Sequence, residues 1–143
     1  MNKLLEINNL KIDFESKDSN FSAVDDISFT IKKGETLSLV GESGSGKSVT
    51  ALSILQLLPQ GTVRYLPGSS IKFEEKEIIS SSKGELRFLR GNKISMIFQE
   101  PMTSLNPYQR VGNQIDETLI IHKNFTQKEA RKKDFFYLHY SFK

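Results

Sequence analysis

Eight consecutive residues, Gly41-Glu42-Ser43-Gly44-Ser45-Gly46-Lys47-Ser48, have the types and spacing of an anion cradle. The pattern is Gly, four residues of any type, then Gly-Lys-Ser. Gly44 and Gly46 permit positive φ and a close approach of backbone to phosphate. The N–H groups from Ser43 to Lys47 can then converge on one anion. A helix beginning directly after the loop adds the positive end of its dipole. Lys47 supplies a point charge for β- and γ-phosphates. Ser48 offers a hydroxyl to Mg²⁺, whose remaining ligands are phosphate oxygens and water. That chemistry is the holding of ATP or GTP. Glu42, between the glycines, reads as a solvent-facing loop position rather than a general base.

Such a loop works only between a strand and a helix, and the flanks supply both. Thr36 to Val40 is a short apolar run of the buried-strand type. Val49, Leu52, Ile54, Leu55 and Leu58 recur at helical spacing, and Pro59-Gln60-Gly61 is the expected stop. Upstream, Leu5, Ile7, Leu10, Ile12 and Phe14 form a strand pattern interrupted at Asn8-Asn9. Ala23 to Ile31 alternates again, and Lys32-Lys33-Gly34-Glu35 is a turn. Downstream, a hairpin is expected around Ile71-Lys72-Phe73, followed by a polar Ser80-Ser81-Ser82 loop and a short helix from Lys83 to Arg90. Ile94 to Phe98 reads as a second buried strand, and Gln99 to Pro107 as a proline-punctuated loop. Val111 to Ile121 is helix-like. Thr126 with Glu129 three residues on is a capping box opening a further helix.

Bulk composition narrows the function classes. The 143 residues are 37% hydrophobic and 26% charged, as in a soluble globular domain. A net charge of +3, with basic residues scattered, argues against nucleic acid as a partner. The absence of cysteine excludes disulfides and cysteine-based zinc sites. Met1 to Leu10 lacks the apolar stretch of a signal peptide, and no run approaches the roughly 20 apolar residues that span a bilayer. Membrane association must therefore go through a partner.

The surroundings of the glycine loop carry a resemblance. Ala23-Val24-Asp25-Asp26-Ile27-Ser28-Phe29, Gly34-Glu35-Thr36-Leu37 and the loop itself are together similar to the nucleotide-binding subunits of ABC transporters. Met96-Ile97-Phe98-Gln99-Glu100-Pro101-Met102-Thr103-Ser104-Leu105-Asn106-Pro107 resembles the Q-loop of their dipeptide/oligopeptide importer branch, and Gly91-Asn92-Lys93-Ile94 fits the microcin-type peptide importers. The resemblance covers roughly residues 4 to 133. It implies an α/β P-loop NTPase fold, with an N-terminal antiparallel β subdomain and a RecA-like parallel core that is incomplete here. It implies ATP and Mg²⁺ as cofactors, and coupling of ATP binding and hydrolysis to peptide uptake. The implied nucleotide contacts are Phe14, Gly41, Ser43, Gly44, Ser45, Gly46, Lys47, Ser48, Val49 and Gln99, with Ser48 and Gln99 at the metal. Gln99, directly after its strand, is the implied γ-phosphate sensor; a neutral amide both donates and accepts. Phe14, or alternatively Phe21, is the implied aromatic against adenine. Where the family often has threonine after the serine, this chain has Val49. A contact to the α-phosphate then falls to a backbone N–H or to Thr50.

The implied partners are transmembrane permease subunits through the Gln99–Tyr108 region, a second ABC ATP-binding domain and, indirectly, a periplasmic or extracellular peptide-binding protein. Pro101, Met102, Leu105 and Tyr108 are the candidates for greasy docking. The implied location is peripheral, on the cytoplasmic face of the cell membrane. The sequence departs from the family after about Lys133. It has no Leu-Ser-Gly-Gly-Gln-like signature, no apolar strand ending in Asp-Glu, and no switch histidine; His122 and His139 read as incidental surface positions. Phe135, Phe136, Tyr137, Tyr140 and Phe142 place five aromatics in the last ten residues. Residues 1–133 are thus expected to be the front part of an ABC ATP-binding domain, and 134–143 an out-of-frame or truncation-derived tail. A chain so built is expected to be marginally folded and catalytically inactive alone. The alternatives are a nucleotide-binding fragment without turnover, or a different small P-loop NTPase.

Overall fold

The computed structural model describes residues 3–15, 19–99 and 105–133. They fall into two compact units, Met1–Leu86 and Arg87–Lys143.

The first unit is built on a long antiparallel hairpin, β1 (Lys3–Glu15) and β2 (Asn20–Lys32). On its other side β1 pairs with β3 (Val63–Tyr65) and β4 (Ser70–Phe73), and β4 pairs with β5 (Lys76–Glu77). The resulting sheet runs β2-β1-β4-β5, with β3 beside the far end of β1. Its core is aliphatic apart from one ring: Leu5, Ile7, Leu10, Ile12, Val24, Ile71, Phe73 and Ile78 are all buried.

The interruption at Asn8-Asn9 is a β-bulge. Ile7 faces Phe29, but Leu10 faces Ile27, so β1 spends one extra residue there. Asn9 takes a φ of 45. That residue changes the parity of the strand, which is why Leu5 and Ile7, then Leu10 and Ile12, all reach the same core. β2 answers with an irregularity between Ile27 and Val24, where Asp26 has a φ of 55. The two irregular residues are tied together: Asn9 Nδ2 donates to Asp26 Oδ1 at 3.1 Å, and Asn9 N–H to Ser28 Oγ at 2.8 Å.

β4 and β5 form the expected hairpin. Glu77 stitches it: its carboxylate accepts from the Ser70 hydroxyl at 2.6 Å and from the N–H groups of Ile71 and Ile79 at 3.0 and 3.2 Å. Burial pushes the Glu77 carboxyl up, but these hydrogen bonds outweigh it and leave its pKa below 4.5.

The helix after the glycine loop, α1, runs Lys47–Ile54, shorter than the apolar spacing predicts. It ends before Pro59 because Gln56 turns left-handed, with a φ of 52. The N–H of Leu57 then closes back on Leu52 O at 3.0 Å. Its buried face also differs from the expected one. Thr50 and Ser53 are buried, ahead of Leu55 and Leu58 beyond the helix end, while Val49, Leu52 and Ile54 are half-buried. The two hydroxyls can be buried because both are satisfied: Thr50 Oγ1 donates to Gly46 O at 2.9 Å and Ser53 Oγ to Thr50 O at 2.7 Å.

The two expected parallel strands do not form ladders. Thr36–Val40 follows the Gly34 turn without regular structure, and Val40 is 93% exposed. Ile94–Phe98, in the second unit, has a single bridge from Ile94 to Arg90, and Ile97 is 92% exposed. A strand requires a neighbour for its backbone groups, and neither segment has one among the described residues. Of the implied two-part fold, the antiparallel subdomain is formed, and the described residues form no parallel ladder of the core expected to be incomplete.

A short helix, α2 (Lys83–Leu89), begins where Ser82 and Glu85 cap each other, with Ser82 N–H and Oγ both 2.8 Å from Glu85 Oε2. In the second unit, α3 spans Val111–Lys123, and a further helical stretch occupies 127–133. The latter opens on the expected capping box: Thr126 N–H and hydroxyl donate to Glu129 Oε2 at 2.9 and 2.7 Å. In both boxes the hydrogen bonds lower the pKa of the glutamate. The aromatic tail lies outside the described residues.

Candidate functional site

The glycine loop lies against β2 at Ala23 and Val24, towards the end of the hairpin where β1 leads into β2, and that hairpin places it. Gly46 lies against Ala23 of β2 at a φ of 84. A Cβ there would come well within 3.0 Å of the Ala23 carbonyl oxygen and 3.3 Å from Val24 Cγ2. Gly44 also has a positive φ, 83, but a Cβ there would meet nothing within 4 Å. One glycine is demanded by both conformation and packing, the other by conformation alone.

Gly46 is also the N-cap of α1, and it has no side chain to offer. The first helical N–H groups are therefore not capped by a side chain and remain available to an anion. At the other end, α1 is anchored by Gln56. Its Nε2 donates to Ser53 O and to the Tyr65 hydroxyl of β3, both at 3.0 Å. Burial pushes the Tyr65 phenol up to about 12, against a smaller lowering by the Gln56 hydrogen bond.

Lys47 folds back over the loop. Its ammonium donates to Gly41 O at 2.8 Å, Glu42 O at 2.6 Å and Ser45 Oγ at 3.1 Å. The loop thus holds its own cation in place with neutral acceptors. A phosphate oxygen would offer that cation a charge-assisted bond about twice as strong as one to a neutral acceptor.

Around this loop is a cleft of about 300 Å³ lined by Phe14, Phe21, Ala23, Gly44, Ser45, Gly46, Lys47, Ser48 and Val49. Seven of the ten implied nucleotide contacts are therefore neighbours of one cavity. Gly41 and Ser43 belong to the loop but do not line it. Gln99 lies in the second unit, exposed, at the end of the unpaired 95–98 segment. Phe14 and Phe21 pair across the hairpin, and both line the cleft. Thr50, the alternative to a backbone N–H for the α-phosphate, is buried, and its hydroxyl donates to Gly46 O at 2.9 Å.

In the second unit, Pro101 and Met102 lie outside the described residues, while Leu105 and Tyr108 are exposed, Tyr108 at 96%. His122 is half-buried. A Cβ on Gly91, whose φ is 76, would lie 2.9 Å from its Nε2, so the imidazole packs directly on the turn that leads into Ile94. Asp116 is buried in α3. Arg131 Nη1 approaches its Oδ2 at 3.1 Å, off the hydrogen-bond direction, so neither carboxylate oxygen is hydrogen-bonded among the described residues. The same guanidinium donates through Nη2 to Asn113 Oδ1 at 3.1 Å. The pairing of Asp116 with Arg131 is not among the sequence expectations; a charged residue on the inner face of a helix was the available signal.

Among the described residues no group of three or more His, Cys, Asp or Glu could hold a metal ion, and no helix is long and apolar enough to cross a membrane.

Comparison with known proteins agrees with this geometry. Residues 24–138 match the family model described as ABC transporter. The chain is 53% identical over 133 residues to the oligopeptide transport ATP-binding protein AppD of Bacillus subtilis (strain 168), covering 93% of this chain and 40% of AppD. It is 49% identical over 130 residues to the oligopeptide transport ATP-binding protein OppD of Salmonella typhimurium, covering 90% and 38%. The chain thus spans about two fifths of the length of these relatives. The fold is similar to that of the ATP-binding cassette MJ0796, solved as a dimer in a post-hydrolysis state with ADP and Pi. The TM-score is 0.75 at 22% identity, over 92% of this chain and 54% of the other.

Proposed function

This chain belongs to the ABC transporter family, and on that footing we propose that it carries the nucleotide-gripping front part of a peptide importer's ATP-binding domain. The observation that carries the reading is the single cleft that joins two aromatic rings to the Gly44–Val49 backbone and Lys47. A purine has two faces for an aromatic to cover. A triphosphate suits a glycine loop at a helix N-terminus. ATP satisfies both ends of the cleft at once.

Within it, Phe14 and Phe21 cover the base, and the loop N–H groups with Lys47 hold the phosphates. Gly41 and Ser43 shape the turn. Mg²⁺ fits the donor set: the Ser48 hydroxyl is exposed in the cleft, and a hard cation takes oxygen from hydroxyl, phosphate and water. Bound there, the ion would neutralise phosphate charge. Gln99 is the proposed sensor of the γ-phosphate. The segment Gln99–Tyr108 is the proposed contact to permease subunits. A second ATP-binding domain supplies the signature side of the site, and the peptide-binding protein acts on the permease. The place of the whole is peripheral, at the cytoplasmic membrane face.

For the chain as given, residues 1–133 are the proposed front part of the domain, and the proposed activity is nucleotide binding without turnover. The described residues offer the cleft no carboxylate to activate water. The test is titration of a fluorescent ATP analogue with Mg²⁺ into the chain and into Phe14→Ala, Phe21→Ala and Lys47→Ala. Each substitution is expected to weaken binding about tenfold or more, from loss of stacking worth roughly 1 kcal/mol plus buried area for the rings, or of the phosphate charge for lysine. Equal affinity across all four proteins would sink the reading.

A further inference from the structure

Residues 105–110 have no regular secondary structure and every one of them is exposed. Their backbone is nevertheless fixed, and one side chain from α3 fixes it. Gln114 Oε1 accepts from Asn106 N–H at 3.0 Å. Gln114 Nε2 donates to Asn106 O at 3.0 Å and to Gln109 O at 3.1 Å. Both amide hydrogens and the amide oxygen are therefore used. Asn106 completes the arrangement, its Oδ1 accepting from Tyr108 N–H at 3.0 Å and its carbonyl from Gln109 N–H at 3.2 Å. With the loop so tied down, Tyr108, Leu105 and Val111 stand out into solvent. An exposed loop otherwise pays its ordering entropy at the moment of contact, and a held loop does not.

We propose that Gln114 is a positioning residue that holds the 105–110 loop preformed, so that Leu105 and Tyr108 are presented in one arrangement to the permease. This rests on the reading above that the Gln99–Tyr108 region meets a permease subunit. Only glutamine fits the role at this position. Glutamate keeps the length and one acceptor but has no hydrogen for the two loop carbonyls, and alanine keeps nothing.

Residue-resolved amide hydrogen exchange on the chain reads the hold directly. In Gln114→Ala the amides of Asn106 and Gln109 are expected to exchange about tenfold faster or more. In Gln114→Glu, Asn106 N–H keeps its acceptor, so its exchange is expected to stay slow while Tyr108 and Gln109 accelerate. Gln109→Ala, where only backbone groups are used, is the control and should match the parent. The amides of α3 from Leu119 onward report on helix integrity. Unchanged loop exchange in both Gln114 variants would overturn the proposal, as would equal acceleration of the loop and of α3. Binding of the same proteins to a purified peptide-importer permease pair separates the two readings. No binding by the parent refutes the permease contact and leaves the hold on the loop to the exchange result. Equal binding by parent and both variants refutes the positioning role.

Discussion

Replacing Gly46 with alanine separates the two demands the glycine loop makes on its backbone. At Gly46 the new methyl group meets a backbone oxygen, Ala23 O, which has no rotamer by which to move away. The clash forces the loop off β2 or β2 off its register, and overpacking of that kind costs about 1–3 kcal/mol. The φ of 84 adds about 1–2 kcal/mol for any L side chain. Together they predict a loss of roughly 2–5 kcal/mol of stability in the first unit. At Gly44 only the conformational part applies, because a methyl group there meets nothing. Gly44→Ala is therefore expected to cost about 1–2 kcal/mol. The assay is chemical denaturation of both variants beside titration of the fluorescent ATP analogue. Gly46→Ala should shift the denaturation midpoint further and weaken the nucleotide by about tenfold or more, since 1.4 kcal/mol is tenfold in affinity. Gly44→Ala should weaken it less. Two variants of equal severity would refute the claim that Ala23 packing sets the loop, and a Gly46→Ala protein that binds normally would refute the site.

Two further outcomes follow from charge. The Tyr65 pKa is raised from 10.0 to about 12, so the folded state holds its proton longer than the unfolded chain; this stability is complete below pH 10.0 and is lost as pH rises towards about 12. Glu77 has a lowered pKa, so its contribution is present above pH 4.5 and lost as the pH falls through its lower folded value. Phenolate absorbance with thermal melts across both ranges checks the pair, and Tyr65→Phe should remove the alkaline slope while Glu77→Gln removes the acid one. In the second unit, Arg131→Ala leaves the buried Asp116 carboxylate without its cation and should cost about 1–3 kcal/mol, below the usual figure for a buried pair because Arg131 is itself half in water. Adding Asp116→Asn to Arg131→Ala should restore most of that loss in denaturant melts; no restoration would show that the guanidinium acts through Asn113 instead.

What the sequence could show was local. Gly41 to Ser48, the Thr126–Glu129 cap, the break at Asn8-Asn9 and the hairpin near Ile71 are patterns in which neighbours along the chain determine the geometry, and each is found where its pattern lies. The family also was legible, because its motifs are local too. The length of α1 was not. It depends on Gln56 turning left-handed to reach Tyr65, a partner supplied by another strand. Nor was the fate of Thr36–Val40 and Ile94–Phe98. Their apolar composition is that of buried strands, yet a strand is made by its neighbour, and none of the described residues serves as one. The same holds at the site. Sequence marked Phe14 and Phe21 as rivals because only one position was expected to face the base; the cross-strand register of β1 and β2 puts both rings in one cleft with Lys47. Residue types and spacing determined which groups this protein has for gripping a phosphate. The pairing of the hairpin decided what surrounds that grip, because register joins residues that the chain keeps apart.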